Sequence, residues 1–344
     1  MSAKSGIEWT DATWNPTVGC SLMSPGCTNC YAMKQAHRLA NNPLLRTNLA
    51  YRGITKSSKG GPVWTDVVNV SERAILGPLS WRKPRLVFVN SMSDTFHDAV
   101  SESDIARIWA VMALTPQHTY QVLTKRPDRM VKWLLDSGTP EAVETAMNAI
   151  RCGSTLPSWP LANVWVGTSV EDQKRADDRV SVIAQAIAVV RFLSVEPLLG
   201  PVSLRTAVKK APAALRKIDW VIVGGESGPR ARPMHPGWAR TLRDECWAAG
   251  ISFFFKQVGS WHWDVPAKHA GKARGLTPDG RVVEFGTKGS QPILHGSKKG
   301  GGRRLDGRLH EEMPILRQIL GARKVAACAK PRGKMLRSPE RKSR

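Results

Sequence analysis

The sequence predicts an α/β fold, a parallel sheet wound into a partial or complete (β/α) barrel. Three observations predict it: short apolar, β-branched runs recur, helix-length stretches separate them, and each run gives way to polar residues. Near-continuous apolar strands alternating with helices mean a parallel sheet covered on its faces. The strands are expected at 86–89, 120–123, 164–166, 189–193, 220–223 and 252–255, with room for a further one before Cys20. Helices are expected at 103–114, 128–135, 171–188 and 237–249. Six or seven such units suit a barrel better than a small open sheet, and a doubly wound sheet is the alternative. The expected organisation is a barrel domain over 1–262 with an N-terminal cysteine loop, a C-terminal extension over 263–321 packed on it, and a flexible basic tail over 322–344.

The strand ends carry the candidate chemistry. They read Asn90-Ser91-Met92-Ser93-Asp94, Thr124-Lys125-Arg126-Pro127, Gly167-Thr168-Ser169-Val170-Glu171, Ser194-Val195-Glu196-Pro197, Gly224-Gly225-Glu226-Ser227-Gly228 and Lys256-Gln257-Val258-Gly259. In a β/α barrel the C-terminal strand ends line one mouth, where the chemistry sits. Asp94, Lys125, Glu171, Glu196, Glu226 and Lys256 all fall on that rim, whereas Ser101 and Asp128 read as helix caps. Gly224-Gly225 allows close backbone approach to a ligand but matches neither a dinucleotide fingerprint nor a P-loop.

Three cysteines cluster as C-x6-C-x2-C at Cys20, Cys27 and Cys30. A closed structural zinc site uses four protein ligands. A fully ligated electron-transfer cluster also uses four cysteines, so three on a four-iron cluster leave one iron open. His37, on a helix-like run over 31–39, is the alternative fourth ligand and would make a zinc site. Cys152, Cys246 and Cys328 are dispersed and read as ordinary thiols. Trp9 and Trp14 read as packing residues of the barrel.

Composition bounds the function classes. The 344 residues carry 51 Lys and Arg against 28 Asp and Glu, a net charge of +23, with 42% apolar and 23% charged residues. That is a globular composition, not a disordered one. No run approaches the roughly 18–20 apolar residues of a membrane span, and residues 1–11 lack the apolar core of a secretory signal. Six cysteines in so long a chain make no disulfide scaffold. A reduced, cytoplasmic location without membrane contact is expected. The charge points to a polyanion, most simply nucleic acid. From Gly296 onward 15 Lys and Arg face four acids.

Residues 7–16 (Ile-Glu-Trp-Thr-Asp-Ala-Thr-Trp-Asn-Pro), Gly19-Cys20, Pro25-Gly26-Cys27 and Cys30-Tyr31-Ala32 resemble the opening of an uncharacterised phage and bacterial family, the three-cysteine-motif proteins. Ser93-Asp94-Thr95-Phe96-His97, Leu123–Pro127, Val166–Glu171, Ser194–Leu198, Gly224–Gly228, Gly302–Arg308 and Met313-Pro314 extend the resemblance to about residues 6–316. That family is regarded as similar to radical S-adenosylmethionine enzymes. The resemblance implies a radical-enzyme-like partial barrel, a [4Fe–4S] cluster on Cys20, Cys27 and Cys30, and S-adenosyl-L-methionine on the open iron. Two departures stand out: those enzymes usually space the first two cysteines by three residues, and they carry an aromatic residue where Asn29 stands.

On that reading Gly224, Gly225, Glu226, Ser194 and Thr168 are the candidate cofactor-binding residues. Asp94, Lys125 and Glu196 are the candidate catalytic residues. Lys125, Arg126, Arg303, Arg304 and Arg308 are the candidate nucleic-acid contacts. The expected function is a radical enzyme that modifies or repairs nucleic acid, with an electron donor as partner. The alternatives are a non-catalytic nucleic-acid-binding protein with a structural iron–sulfur or zinc centre, and a radical enzyme acting on a small nucleotide precursor.

Overall fold

The computed structural model describes residues 5–44 and 48–314. The tail expected over 322–344, and Cys328 within it, lie outside the described residues. The main sheet has seven strands: β1 (Ala12–Trp14), β2 (Leu86–Val89), β3 (Thr119–Thr124), β4 (Val164–Ser169), β5 (Val190–Val195), β6 (Trp220–Gly224) and β7 (Ser252–Gln257). Each strand pairs in parallel with the next, and the order never reverses. A doubly wound sheet requires a reversal of strand order, so that alternative is set aside. The sheet curls into a half barrel, consistent with a partial β/α barrel.

The helices are α1 (Tyr31–Ala40), α2 (Glu102–Leu114), α3 (Pro127–Leu135), α4 (Thr139–Ile150), α5 (Gln173–Ile183) and α6 (Pro236–Ala249). Ser101 caps α2 as expected, its hydroxyl accepting from the Asp104 amide at 3.1 Å. Asp128 does not cap α3: the helix starts at Pro127, whose fixed φ suits a first turn, and Asp128 sits inside that turn. The helix expected over 171–188 runs only from Gln173 to Ile183: Asp172 caps its start, accepting from the Arg175 amide at 2.9 Å, and the amides of Gln185 and Ala186 turn back onto Val182 and Ile183 at its end. That leaves Glu171 outside the helix, free to point elsewhere.

Alternation along the strands separates two cores. Val87, Val89, Val122, Val164, Val166, Leu193, Val221, Val223, Phe253 and Phe255 face the helices. Phe88, Trp165, Val190, Phe192, Trp220, Ile222 and Phe254 fill the concave side together with Trp9, which enters from the N-terminal segment. Trp9 stands edge-on to Phe88 at 4.8 Å and to Trp220 at 6.1 Å between ring centres. Trp14 sits on the outer side and donates to the Ala74 carbonyl at 2.6 Å. Both tryptophans therefore pack the fold.

An open sheet presents unpaired backbone at its edge. Here residues 310–313 run along β7: Phe255 N–H donates to His310 O at 2.9 Å, Phe253 N–H to Glu312 Oε2 at 3.0 Å, and Ser252 Oγ to Met313 O at 3.0 Å. Trp220 Nε1 donates to Glu312 O at 2.9 Å, which ties this strap to the concave core. A small antiparallel sheet follows β7, in the order Trp261–His262, Gln291–His295, Arg274–Leu276, Val282–Val283. It is held to the barrel by Trp261, Trp263 and Trp238, whose indole N–H groups donate to Ala231, Met234 and Pro278 carbonyls. Among the described residues no helix is long and apolar enough to cross a membrane.

Trp220 is fully buried and touches Trp9, Trp165, Phe192 and Phe254. Trp220→Ala should lower stability by about 3–5 kcal/mol, because the lumen cannot collapse around so large a void. Denaturant unfolding checks this; a loss below about 1 kcal/mol would contradict the packing described.

Candidate functional site

The C-terminal ends of β2 to β7 and the cysteine loop enclose a cavity of about 460 Å³. That size suits a small ligand or a single extended group. Its wall carries Cys20, Cys27 and Cys30 with Asp94, Lys125, Arg126, Ser194, Glu196, Gly225, Glu226 and Lys256, and Trp9, Phe88 and Leu123 are apolar residues on it.

The loop is placed by short-range bonds. Gly19 N–H donates to Met92 O at 3.1 Å, and Ser93 Oγ donates to Gly19 O at 2.6 Å. Pro25–Cys27 form one 3₁₀ turn, after which Cys30 N–H donates to Cys27 O at 3.2 Å. Cys30 then occupies the position before α1, at the positive end of that helix. None of the three cysteines is in a disulfide. Burial, with Asp94 nearby, pushes the Cys20 thiol up to about 12. Burial also raises Cys30, while the amides of Ala32 and Met33 pull the other way. Without a ligand both are therefore neutral thiols at neutral pH, so thiolate ligation has to release protons.

Three buried carboxylates fasten this loop at three points. Glu171, with no exposed side-chain surface, accepts from Ser24 Oγ at 2.7 Å and from Arg179 Nη1 at 3.2 Å, and it pairs with Lys125. Gly26 lies directly against it: a Cβ there would come within 2.6 Å of Glu171 Cγ. Burial alone would raise the Glu171 carboxyl, but Lys125, Ser24 and Arg179 outweigh it and hold it below its ordinary value. Glu226 accepts from Asn29 Nδ2 at 3.0 Å and takes three bonds from Arg232, one from its backbone N–H and two from its guanidinium, which also donates to Pro25 O at 2.9 Å. There too the bonds from Arg232 and Asn29 outweigh burial and keep the carboxyl low. Asp94 accepts from Thr124 Oγ1, the Phe96 and Lys125 amides and Arg126 Nη1. Arg126 in turn donates to Ser21 Oγ at 2.6 Å.

A second group of charges forms another part of the wall. Lys256 Nζ lies 2.6 Å from Glu196 Oε1, and Lys298 Nζ lies 2.8 Å from Glu8 Oε1. Gly224 has no room for a side chain, since a Cβ would fall 2.9 Å from Glu196 Oε1.

The structure brings most of the sequence-derived candidates together. The three cysteines, Asp94, Lys125, Arg126, Ser194, Glu196, Gly225 and Glu226 share the cavity. Thr168 does not: it is fully buried and its hydroxyl donates to Thr124 O at 2.9 Å. Gly224 stands behind Glu196. Arg303 donates to Lys256 O and Glu311 Oε1, and Arg304 donates to Gly307 O; neither these two nor the exposed Arg308 lines the cavity. His37 Nδ1 is 3.2 Å from Thr55 Oγ1 and does not line the cavity. Cys246 is buried and Cys152 exposed. Ser24, Asn29, Arg232, Lys298 and Glu8 are neighbours of the site to which the sequence assigned no role, because their partners are distant in sequence. Among the described residues no three His, Cys, Asp or Glu side chains converge to hold one metal ion. Three unpaired thiols on one wall are the kind of donor set that an iron–sulfur cluster takes.

The fold and site together define a parallel half-barrel protein with a cysteine-lined cavity at the C-terminal rim of its strands. The chain belongs to the family described as protein of unknown function (DUF5131), whose model matches residues 4–314. No curated protein and no solved structure matches the chain.

Glu171→Gln leaves Lys125 and Arg179 without their counter-charge and should lower stability at neutral pH by about 3–5 kcal/mol. The wild-type carboxyl is held below its ordinary value of 4.5, so its contribution is present above that value and is lost as pH falls through the lowered one. The stability gap between wild type and Glu171→Gln should therefore narrow below about pH 4.5 in thermal unfolding. A gap independent of pH would contradict the assignment.

Proposed function

We propose that this protein is an iron–sulfur, S-adenosylmethionine-dependent radical enzyme that modifies or repairs nucleic acid. One observation carries the reading: Cys20, Cys27 and Cys30 line the same cavity as Ser194, Glu196, Gly225 and Glu226 at the mouth of a parallel half barrel. The likeness to the three-cysteine-motif phage and bacterial proteins, and through them to radical enzymes, supports it. The net charge of +23 supports a polyanionic substrate.

Cys20, Cys27 and Cys30 would hold a [4Fe–4S] cluster, which with S-adenosylmethionine and an external electron donor supplies one-electron chemistry. The chain's own residues prepare the site for it. Glu171, Glu226 and the Asp94–Arg126 pair hold the cysteine loop at Ser24, Asn29 and Ser21, which keeps the loop against the strand ends. Ser194 and Glu196 offer a hydroxyl and a carboxylate to the polar groups of an amino acid or a ribose. Trp9, Phe88 and Leu123 keep water from part of the cavity, which strengthens charge interactions inside it. Lys125 and Lys256 are cations on the cavity wall, each beside its own carboxylate.

Anaerobic reconstitution of the full chain tests this. About four iron atoms and matching sulfide per chain are expected, and Cys27→Ala should lose both. Dithionite with S-adenosylmethionine should release 5′-deoxyadenosine, faster with an oligonucleotide present. A colourless, iron-free wild type after loading would overturn the proposal. Zinc without sulfide would instead favour a structural centre, and stimulation by mononucleotides alone would favour a small nucleotide substrate.

A further inference from the structure

Charge in this protein is divided into two populations. The cations of the cavity wall are neutralised: Arg126, Lys125, Arg232, Lys256 and Lys298 pair with Asp94, Glu171, Glu226, Glu196 and Glu8. The cavity itself therefore offers little net attraction to a phosphate chain. A separate set lies just outside it. No Asp or Glu occurs between Asp11 and Asp66, yet Lys34, Arg38, Arg46, Arg52, Lys56 and Lys59 fall there. Arg46 lies outside the described residues. Lys34, Arg38, Arg52, Lys56 and Lys59 are exposed, and none makes an ion pair among the described residues.

Helix α1 links this set to the cavity. Tyr31, Lys34 and Arg38 follow three-and-four spacing, which puts them on one helix face. All three are exposed, and Tyr31 itself lines the cavity with 58% of its surface accessible. Its hydroxyl donates to Ser91 O at 3.0 Å, which fixes the ring at the rim. The hairpin bearing Lys56 packs on α1, His37 Nδ1 standing 3.2 Å from Thr55 Oγ1. Arg230, whose carbonyl accepts from Asn29, extends beside Gly60 and Gly61 of the same hairpin.

We infer that the exposed face of α1, Tyr31, Lys34 and Arg38, carries a single strand of nucleic acid across the cavity mouth, so that the group entering the cavity is one unpaired or extruded nucleotide. The inference rests on the nucleic-acid reading above and names the form of its substrate. Unpaired cations track the backbone, and an exposed aromatic ring at the rim gives a base its stacking partner. A cavity of about 460 Å³ admits no duplex, and with the cluster and S-adenosylmethionine of the reading above inside it only the edge of one extruded base reaches in. An acidic protein would also be drawn to free cations, but it has no use for an aromatic ring at the lip of the cavity.

The test is fluorescence anisotropy of a labelled single-stranded oligonucleotide and of its duplex with the full chain, at about 50 and 200 mM salt. The single strand should bind more tightly. Lys34→Glu with Arg38→Glu should weaken it about tenfold or more and flatten the salt slope by about 1.4, two contacts at roughly 0.7 each. Tyr31→Ala should weaken it about fivefold to a hundredfold. Arg82→Glu with Lys83→Glu, at the opposite end of β2, should bind as wild type. Circular dichroism melting of each variant separates misfolding from lost contacts. Unchanged binding by the α1 variants, equal loss in the Arg82/Lys83 variant, duplex binding as tight as single-strand binding, or no oligonucleotide binding would each overturn the inference, the last pointing to an acidic protein partner. Iron content is read separately: an iron-free wild type that binds the strand through α1 keeps this inference and removes the cluster, and a loaded one that ignores the strand does the reverse.

Discussion

A buried carboxylate governs the mouth of this half barrel. Glu171 has no solvent contact, yet it stays charged because Lys125 and Arg179 face it and Ser24 donates to it. Taking an ion out of water is costly, and such a group persists only when its partners are well placed. Those partners come from the end of β3, from α5 and from the cysteine loop. Gly26 lets the loop backbone lie directly on the carboxylate. One ion thereby couples the sheet to the loop that carries the chemistry. Glu226 and Asp94 repeat the device at Asn29 and Ser21.

The lower half of the barrel answers a different constraint. A half barrel leaves a concave face and an edge that no strand closes. Aromatic side chains fill the first: Trp9, Phe88, Trp165, Phe192, Trp220 and Phe254 share one cluster. Residues 310–313 cover the second by running along β7. Trp220 belongs to both solutions, since its ring lies in the cluster and its N–H holds the strap at Glu312. Packing below leaves the polar groups to collect at one end, where the cavity forms.

Charge follows the same division. Inside, each cation stands against a carboxylate, which suits a site that must orient a ligand rather than attract one. Outside, among the described residues between Asp11 and Asp66, the cations make no ion pair. Long-range attraction and local recognition are thus handled by different residues. The basic stretch after Gly296 is denser in Lys and Arg and more conspicuous in sequence, but Arg303 and Arg304 are engaged in local bonds.

The strand pattern was legible directly: apolar runs at 86–89, 120–123 and 220–223 fall within β2, β3 and β6, because a strand buried on both faces leaves a continuous apolar signature. Helix α4 was not, since it begins after Ser137-Gly138, which reads as a turn, and carries a proline in its first turn. The start of α5 was not legible because Asp172 caps it by a bond to its own third neighbour, which spacing alone does not separate from a solvent-facing acid. The rim residues were legible as a class, since strand ends in this architecture share one mouth. Their partners were not. Glu171 meets Ser24, 147 residues away, and Asn29 meets Glu226, 197 residues away. The sequence by itself determined the repeating strand–helix units and the spacing of the three cysteines, which are local properties of the chain. Only the tertiary structure decided which carboxylate faces which cation and which cysteines share a cavity, because burial and charge pairing depend on distances that the curl of the sheet creates.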